Sequence, residues 1–251
     1  MFNFQVKIAE NDQEIQQALN LRYQVFKLEM AGRSEKEMAD QLDRDKYDRF
    51  CDHLIVIDKE KNKTVGTYRL ILSSRVDKKI GFYSENFFDI TNIKQLANDY
   101  PILELGRSCV HKDYRSQMVI NLLWNGIAEY IKSYRVRYLF GSTRLLTNQP
   151  TQVSKIYKYL KERFFVEPKF RVSAKEENKF DTLNEDIKIN HPRDILAHLP
   201  PLLKGYLRAG VLVCGPPAVN RDLDVVLIFI LLDVARIARP YKRHYLKDAY
   251  L

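Results

Sequence analysis

The strongest constraint in this chain is a strand that runs without a pause into a helix. In Leu103-Glu-Leu-Gly-Arg-Ser-Cys-Val-His-Lys-Asp-Tyr-Arg115 the run from Ile102 to Val110 reads as extended. Met118, Leu122, Ile127, Tyr130 and Ile131 then recur at helical spacing, with Trp124 among them. If the strand is regular, Glu104, Gly106, Ser108 and Val110 share one face, and Leu105, Arg107 and Cys109 share the other. Free N–H groups at the start of such a helix can hold an anionic or polar cofactor arm. A glutamate inside the strand needs a partner or a task, because burying an unpaired carboxylate is costly.

The flanking elements follow from periodicity. Phe4–Ile8 reads as a strand, and Asn11-Asp12 caps a helix whose apolar stripe is Ile15, Ala18, Leu19, Tyr23 and Phe26, with Arg22 at its far end. From Gly32 to Phe50 the chain turns highly charged (Asp40, Asp43, Arg44, Asp45, Asp48, Arg49) and reads as a mobile surface segment that contributes little to the core. His53–Asp58 and Thr64–Leu72 form a hairpin across a polar turn, and Tyr138–Ser142 is a further strand. A helix from about Thr151 to Phe164 buries Val153, Ile156, Tyr157 and Leu160. After a polar, aperiodic excursion at about 168–192, a helix over Leu199–Gly210 leads to strands at Val211–Cys214 and Val225–Leu232. Strands joined by turns early and late, and by helices in the middle, predict one α/β domain over 1–251, a mixed sheet flanked by helices.

The 41 Lys+Arg against 32 Asp+Glu give a net charge of +9, which calls for an acidic partner: nucleic acid, an anionic membrane face or an acidic carrier protein. A basic tail over 235–251 concentrates part of that charge in Arg236, Arg239, Lys242, Arg243 and Lys247. Its interleaved tyrosines suit RNA, but no RNA-binding motif accompanies them, so nucleic acid is not expected. Cys51, Cys109 and Cys214 are odd in number and lack C-x-x-C spacing, so neither a disulfide framework nor a metal site is expected. The N-terminus lacks the pattern of a signal peptide, and the run Val225–Leu232 is well short of the roughly 20 residues a spanning helix needs. A reducing cytoplasm, with peripheral contact at the inner face of the membrane, is the expected location.

Glu104-Leu-Gly-Arg107 and Tyr114-Arg115, between a strand and a helix, resemble the GNAT acyltransferase superfamily. More specifically, Leu21-Arg-Tyr-Gln-Val-Phe26, Cys51-Asp-His-Leu54, Gly66-Thr-Tyr-Arg69, Glu104–His111 and Leu199–Arg208 are similar to the bacterial ornithine N-acyltransferases among the hemolysin-like GNATs. The resemblance implies a GNAT-like fold with a mixed, mostly antiparallel sheet. It also implies transfer of a long-chain 3-hydroxyacyl group from acyl carrier protein to the α-amine of L-ornithine, giving lyso-ornithine lipid. Acyl-homoserine-lactone synthases share several of these positions, so an autoinducer synthase, or the same reaction on glycine or lysine, stays open. No resident cofactor is expected, since the donor is an acyl-phosphopantetheine thioester on the carrier protein. GNATs that use coenzyme A usually carry a glycine-rich cradle for its pyrophosphate, and the corresponding Arg115–Ile120 has no glycine, which argues against coenzyme A.

Amide formation from a thioester needs an unprotonated amine, so the resemblance makes Glu104 the base or amine-positioning group, with Arg107 as its catalytic neighbour. It assigns substrate binding to Arg22, Phe26, Asp45, Asp48, Arg69, Ser108 and His111. A guanidinium fork suits an acceptor carboxylate, and the aspartates suit its cationic side. Pairing of the same arginines with the loop aspartates is the competing reading. Cys109 with His111 also fits a thiol and its base, although a lone strand cysteine is commonly a core residue. Lys204, Arg208, Arg236, Arg239, Lys242 and Arg243 are the expected docking residues for carrier protein or membrane.

Overall fold

The computed structural model describes residues 3–32, 40–115 and 117–246, apart from the side chain of Pro192. Ser116 and the end of the basic tail from Lys247 onward lie outside the described residues. Along the chain come β1 (Phe4–Ile8), α1 (Asp12–Tyr23), β2 (Asp52–Asp58), β3 (Lys63–Leu72), the two-residue β4 (Phe88–Asp89), α2 (Thr91–Gln95) and β5 (Ile102–Val110). There follow α3 (Gln117–Tyr134), β6 (Tyr138–Arg144), α4 (Pro150–Phe164), the short β7 (Ser173–Ala174), α5 (Pro192–His198), α6 (Pro201–Ala209), β8 (Leu212–Val213), β9 (Ala218–Asn220) and β10 (Val225–Asp233). They form two compact units, and among the described residues no helix is long and apolar enough to cross a membrane.

The first unit holds residues up to Gly81, Leu103–Arg135 and the segment at 245–246. Its strands are antiparallel in the order β1, β2, β3, β5. Asn11 caps α1 by accepting from the Glu14 N–H at 3.0 Å. Helix α3 lies close on the sheet because Gly126 has no side chain: a Cβ there would sit 2.5 Å from Leu54 and 2.9 Å from Val6. Its buried face is Val119, Leu123, Ile127, Ala128, Tyr130 and Ile131. Of the expected stripe, Ile127, Tyr130 and Ile131 are buried, whereas its start at Met118 and Leu122 is one residue out of phase and Met118 is 49% exposed. Val119 and Leu123, rather than their neighbours, meet the bare backbone of Gly66.

Two further expectations are corrected in this unit. Strand β5 is not regular: Thr67 pairs with Cys109 but Arg69 pairs with Gly106, so Arg107 and Ser108 together oppose Tyr68. Arg107 takes φ +49° at this bulge, and the alternation of faces is reset there. The charged segment before β2 is also not a loose surface run. Asp43 and Tyr47 are buried, and the Asp43 N–H donates to Leu19 O at 3.1 Å, because buried arginines draw the segment inward.

The second unit holds Phe82–Ile102 and Val136–His244. Strand β10 pairs antiparallel with β6, β8 and β9, while β4 pairs with β7 and an isolated parallel bridge joins Phe165 to Val213. The helix expected from Leu199 to Gly210 is α6, entered through Pro200 and Pro201 because missing N–H groups cost nothing at a helix start, and a separate short helix, α5, precedes it. Gly210, at φ +102°, ends α6 as expected. The excursion at 168–192 also belongs to the core: Phe170, Val172 and Ala174 are buried, and Asn178 donates to Val219 O at 3.0 Å.

Candidate active site

In the first unit, two strands, one helix end and the segment before β2 bring opposite charges together. Arg22, in the last turn of α1, is fully buried, and its Nε donates to Asp43 Oδ2 at 2.9 Å. Its Nη1 and Nη2 reach the two oxygens of Asp48 at 2.6 and 3.2 Å, the bidentate match a guanidinium offers a carboxylate. The segment is pinned locally as well, since the Asp45 N–H donates to Asp48 Oδ2 at 2.7 Å and the Tyr47 N–H to Asp45 Oδ1 at 2.9 Å. Arg69 on β3, 1% exposed, sends Nη1 to both oxygens of Asp45 at 2.6 and 2.7 Å and to Asp48 Oδ1 at 3.3 Å. The bulge aims Arg107 into the same cluster: its Nη2 donates to Asp45 Oδ2 at 3.1 Å, and its guanidinium lies 5.9 Å from the Phe26 ring centre.

Three arginines and three aspartates therefore balance, which is what allows this much charge to be buried. Burial alone would raise the Asp45 carboxyl, but Arg69 and then Arg107 hold it down at about 2. Asp48 is likewise held below the ordinary range by Arg22 and Arg69 against the effect of burial. Exposure is unequal. The side chains of Arg22, Arg69, Asp43 and Asp48 are at most 6% exposed, whereas Asp45 and Arg107 are 22% and 21% exposed. The Asp45–Arg107 edge is where a small ligand can touch the network.

Glu104 lies three residues before Arg107 on β5, opposite Ile71, and is 2% exposed. Gly106, between them, faces open space: a Cβ there meets no atom within 4 Å. A buried carboxylate, a half-exposed ion pair and an open strand surface thus share a few residues of chain. The arrangement can bind a zwitterion and take a proton from it.

Asp48, Cys51 and His53 also cluster, with donor atoms within 4.8 Å of one another. They do not suit a metal ion. Both oxygens of Asp48 are engaged by Arg22, Arg69 and the Asp45 N–H, and burial pushes the Cys51 thiol up to about 12. Burial pushes the His53 imidazole down to about 4, against the pull of Asp48, so the ring is neutral near pH 7.

The sequence singled out Arg22, Phe26, Asp45, Asp48, Arg69, Glu104 and Arg107, and the structure gathers six of them in this cluster, with Glu104 beside it on β5. Ser108 is half-buried at the bulge. His111 lies apart: its N–H bonds to Val65 O, four residues and about 13 Å along β3 from Arg69. Its Nε2 is 2.9 Å from Lys63 Nζ. The thiol-and-base reading of Cys109 and His111 fails, because Cys109 is packed against Leu21, Val25 and Phe26 and burial raises its thiol to about 12. Sequence reasoning missed Asp43 as a site residue. The signal for Asp43 was the D-x-D-x-x-D spacing of Asp43, Asp45 and Asp48, three carboxylates where a surface run needs none.

Comparison with known proteins fixes the family. An L-ornithine N(alpha)-acyltransferase of Brucella abortus (strain 2308) is 32% identical over 255 aligned positions, which cover 98% of this chain and 90% of the relative. The chain belongs to the L-ornithine N(alpha)-acyltransferase family. The model of the acetyltransferase (GNAT) domain matches residues 21–125 of this acyltransferase, a stretch that contains the whole charged network. An N-acyl amino acid synthase from uncultured soil microbes, FeeM, matches at a TM-score of 0.54 and 12% identity, covering 100% of this chain and 99% of that one. The acyl-homoserine-lactone synthase LasI matches at 0.54 and 14% identity, covering 100% and 98%. At such identities these two structures speak for the fold alone. The acyltransferase has the expected GNAT-like α/β fold.

Proposed function

We propose that this acyltransferase moves a long-chain 3-hydroxyacyl group from acyl carrier protein to the α-amine of L-ornithine, giving lyso-ornithine lipid. The half-exposed Asp45–Arg107 pair beside buried Glu104 carries the reading. In it the acceptor carboxylate exchanges onto Arg107, and Asp45 takes a cationic group of the amino acid. Arg22 and Arg69 do not touch substrate; they hold Asp48 and Asp45 in place. Glu104 accepts a proton from the α-ammonium, directly or through water. The freed nitrogen attacks the thioester carbon, the carbon–sulfur bond breaks as the tetrahedral intermediate collapses, and the nitrogen's second proton passes to the departing phosphopantetheine sulfur, which leaves as thiol.

The donor reading has its own support. Where a pyrophosphate cradle is expected, the Arg115 guanidinium donates to Glu29 through two bonds of 2.6 Å. Arg115 holds the Glu29 carboxyl below its ordinary range, so the arginine at that position is engaged in an ion pair that a phosphate would have to displace. A carrier-protein thioester brings no adenosine diphosphate to this place, whereas coenzyme A does. No resident cofactor is part of the proposal, and the reaction belongs in the cytoplasm, with release of the amphiphilic product at the inner face of the membrane.

The test is incubation of the purified protein with 3-hydroxyacyl carrier protein and, separately, ornithine, lysine, glycine and S-adenosylmethionine, with products identified by mass. Hydroxyacyl-ornithine is the expected product. Acylation of lysine or glycine instead keeps the chemistry and replaces the acceptor, and an acyl-homoserine lactone replaces the reading altogether.

A further inference from the structure

We infer that the α5–α6 helix pair of the second unit is a docking surface for an anionic lipid bilayer. Its inward side is ordinary core: Ile195, Leu199, Leu203, Tyr206 and Leu207 are buried. Its outward side is not ordinary surface. Leu196 and Leu202 are 40% and 38% exposed, and Ala197 and Pro201 between them are exposed as well. An apolar strip on a helix pair, open to water, is the sequence of contacts that an interfacial segment makes with lipid.

The charge around the strip is mostly positive. Arg193 and Arg208 are exposed at its two ends, Lys204 lies half-buried along it, and Asp194 is the nearby acid. The Ala238 N–H donates to Ala209 O at 2.9 Å, which docks the C-terminal segment, with its exposed Arg239 and Arg243, on the end of α6. Arg236 does not add to the field, since it is paired with Glu167 at 2.7 Å. Long cationic side chains flanking apolar ones can reach phosphate headgroups while the leucines enter the acyl boundary. Leu146 and Leu223, also exposed, lack this pattern: Leu223 shares its turn with Asp222 and Asp224.

An acidic carrier protein would satisfy the cations but has less use for two exposed leucines at the centre, so the bilayer is the occupant argued for. The lyso-lipid of the proposed reaction gives the surface its purpose. The binding itself is read without donor or acceptor, so it stands or fails separately from that reaction.

Gly205 supplies a clean test, because it sits within α6 on the outward side and a Cβ there meets no atom within 4 Å. Glutamate or lysine placed there also gains helix propensity over glycine. The full-length protein is mixed with vesicles of phosphatidylglycerol and phosphatidylcholine, or of phosphatidylcholine alone, and the bound fraction is measured by flotation. Binding to the anionic vesicles is expected, weakened by salt. Gly205→Glu is expected to weaken it and Gly205→Lys to strengthen it, while Leu196→Ser with Leu202→Ser weakens it roughly tenfold. All variants should melt like the parent and turn over soluble substrates as it does. Absence of binding to anionic vesicles, or equal binding by the glutamate and lysine variants, overturns the inference. It is also overturned if these variants lose turnover with acyl carrier protein while vesicle binding is unchanged, which would give the surface to the carrier.

Discussion

Two polar segments of this chain look alike in sequence and behave differently in the fold. The run at 40–50 and the excursion at 168–192 are both rich in charge and poor in periodicity. The first turns Asp43 and Asp48 inward against buried Arg22 and Arg69, and it is held by ion pairs. The second is anchored by Phe170, Val172 and Ala174, with its charges left on the surface. A charged segment thus enters the core only where opposite charge waits there, and that is where the candidate chemistry lies.

The comparison can be broken by removing one anchor from each segment. Arg69→Met leaves Asp45 and Asp48 short of a cation in a buried place. We expect a loss of about 3–5 kcal/mol in denaturant-unfolding stability and of nearly all turnover. Phe170→Ala should cost a similar or slightly smaller amount, about 3 kcal/mol, but turnover per folded molecule should be retained. If Arg69→Met keeps parental stability, the first segment is not held by its ion pairs.

Acid sharpens the same contrast. The His53 imidazole is depressed from 6.5 to about 4, so the unfolded chain binds a proton there that the folded chain refuses. The corresponding stability is full above pH 6.5 and is lost as pH falls from there toward 4, by at most about 3 kcal/mol. Asp45, depressed to about 2, adds a second loss between about pH 4 and 2. Thermal melts across this range should show both steps, and His53→Gln should remove the upper one alone. A smaller effect is expected at the strand-to-helix joint. Glu29→Gln removes the negative charge opposite Arg115 and should raise use of acyl-CoA relative to acyl carrier protein a few-fold, measured as the ratio of kcat/KM values. An unchanged ratio would remove Glu29 from donor choice.

Much of this was legible beforehand, for identifiable reasons. Strands β2, β3 and β10 follow from short runs rich in β-branched and apolar residues, buried on both faces, and the buried face of α4 follows from helical periodicity. Arg22, Asp45, Asp48, Arg69, Glu104 and Arg107 were legible through motif resemblance. That they form one neutral network was not, because it depends on pairs 21 to 62 residues apart. The bulge at Arg107 escaped because an arginine at φ +49° leaves no mark in composition. The burial of 168–174 escaped because three apolar residues spaced at twos amid charge are too few to set a period.

The central claim is that the exposed Asp45–Arg107 edge holds the acceptor while the buried pairs hold the edge. Its most direct test is steady-state kinetics of Arg107→Lys, varying acceptor and donor separately. Lysine keeps the charge and loses the guanidinium fork. The account predicts that KM for the amino acid rises tenfold or more, with KM for the acyl donor unchanged and the fold intact by thermal melt. An unchanged acceptor KM, or a rise confined to the donor, would contradict it.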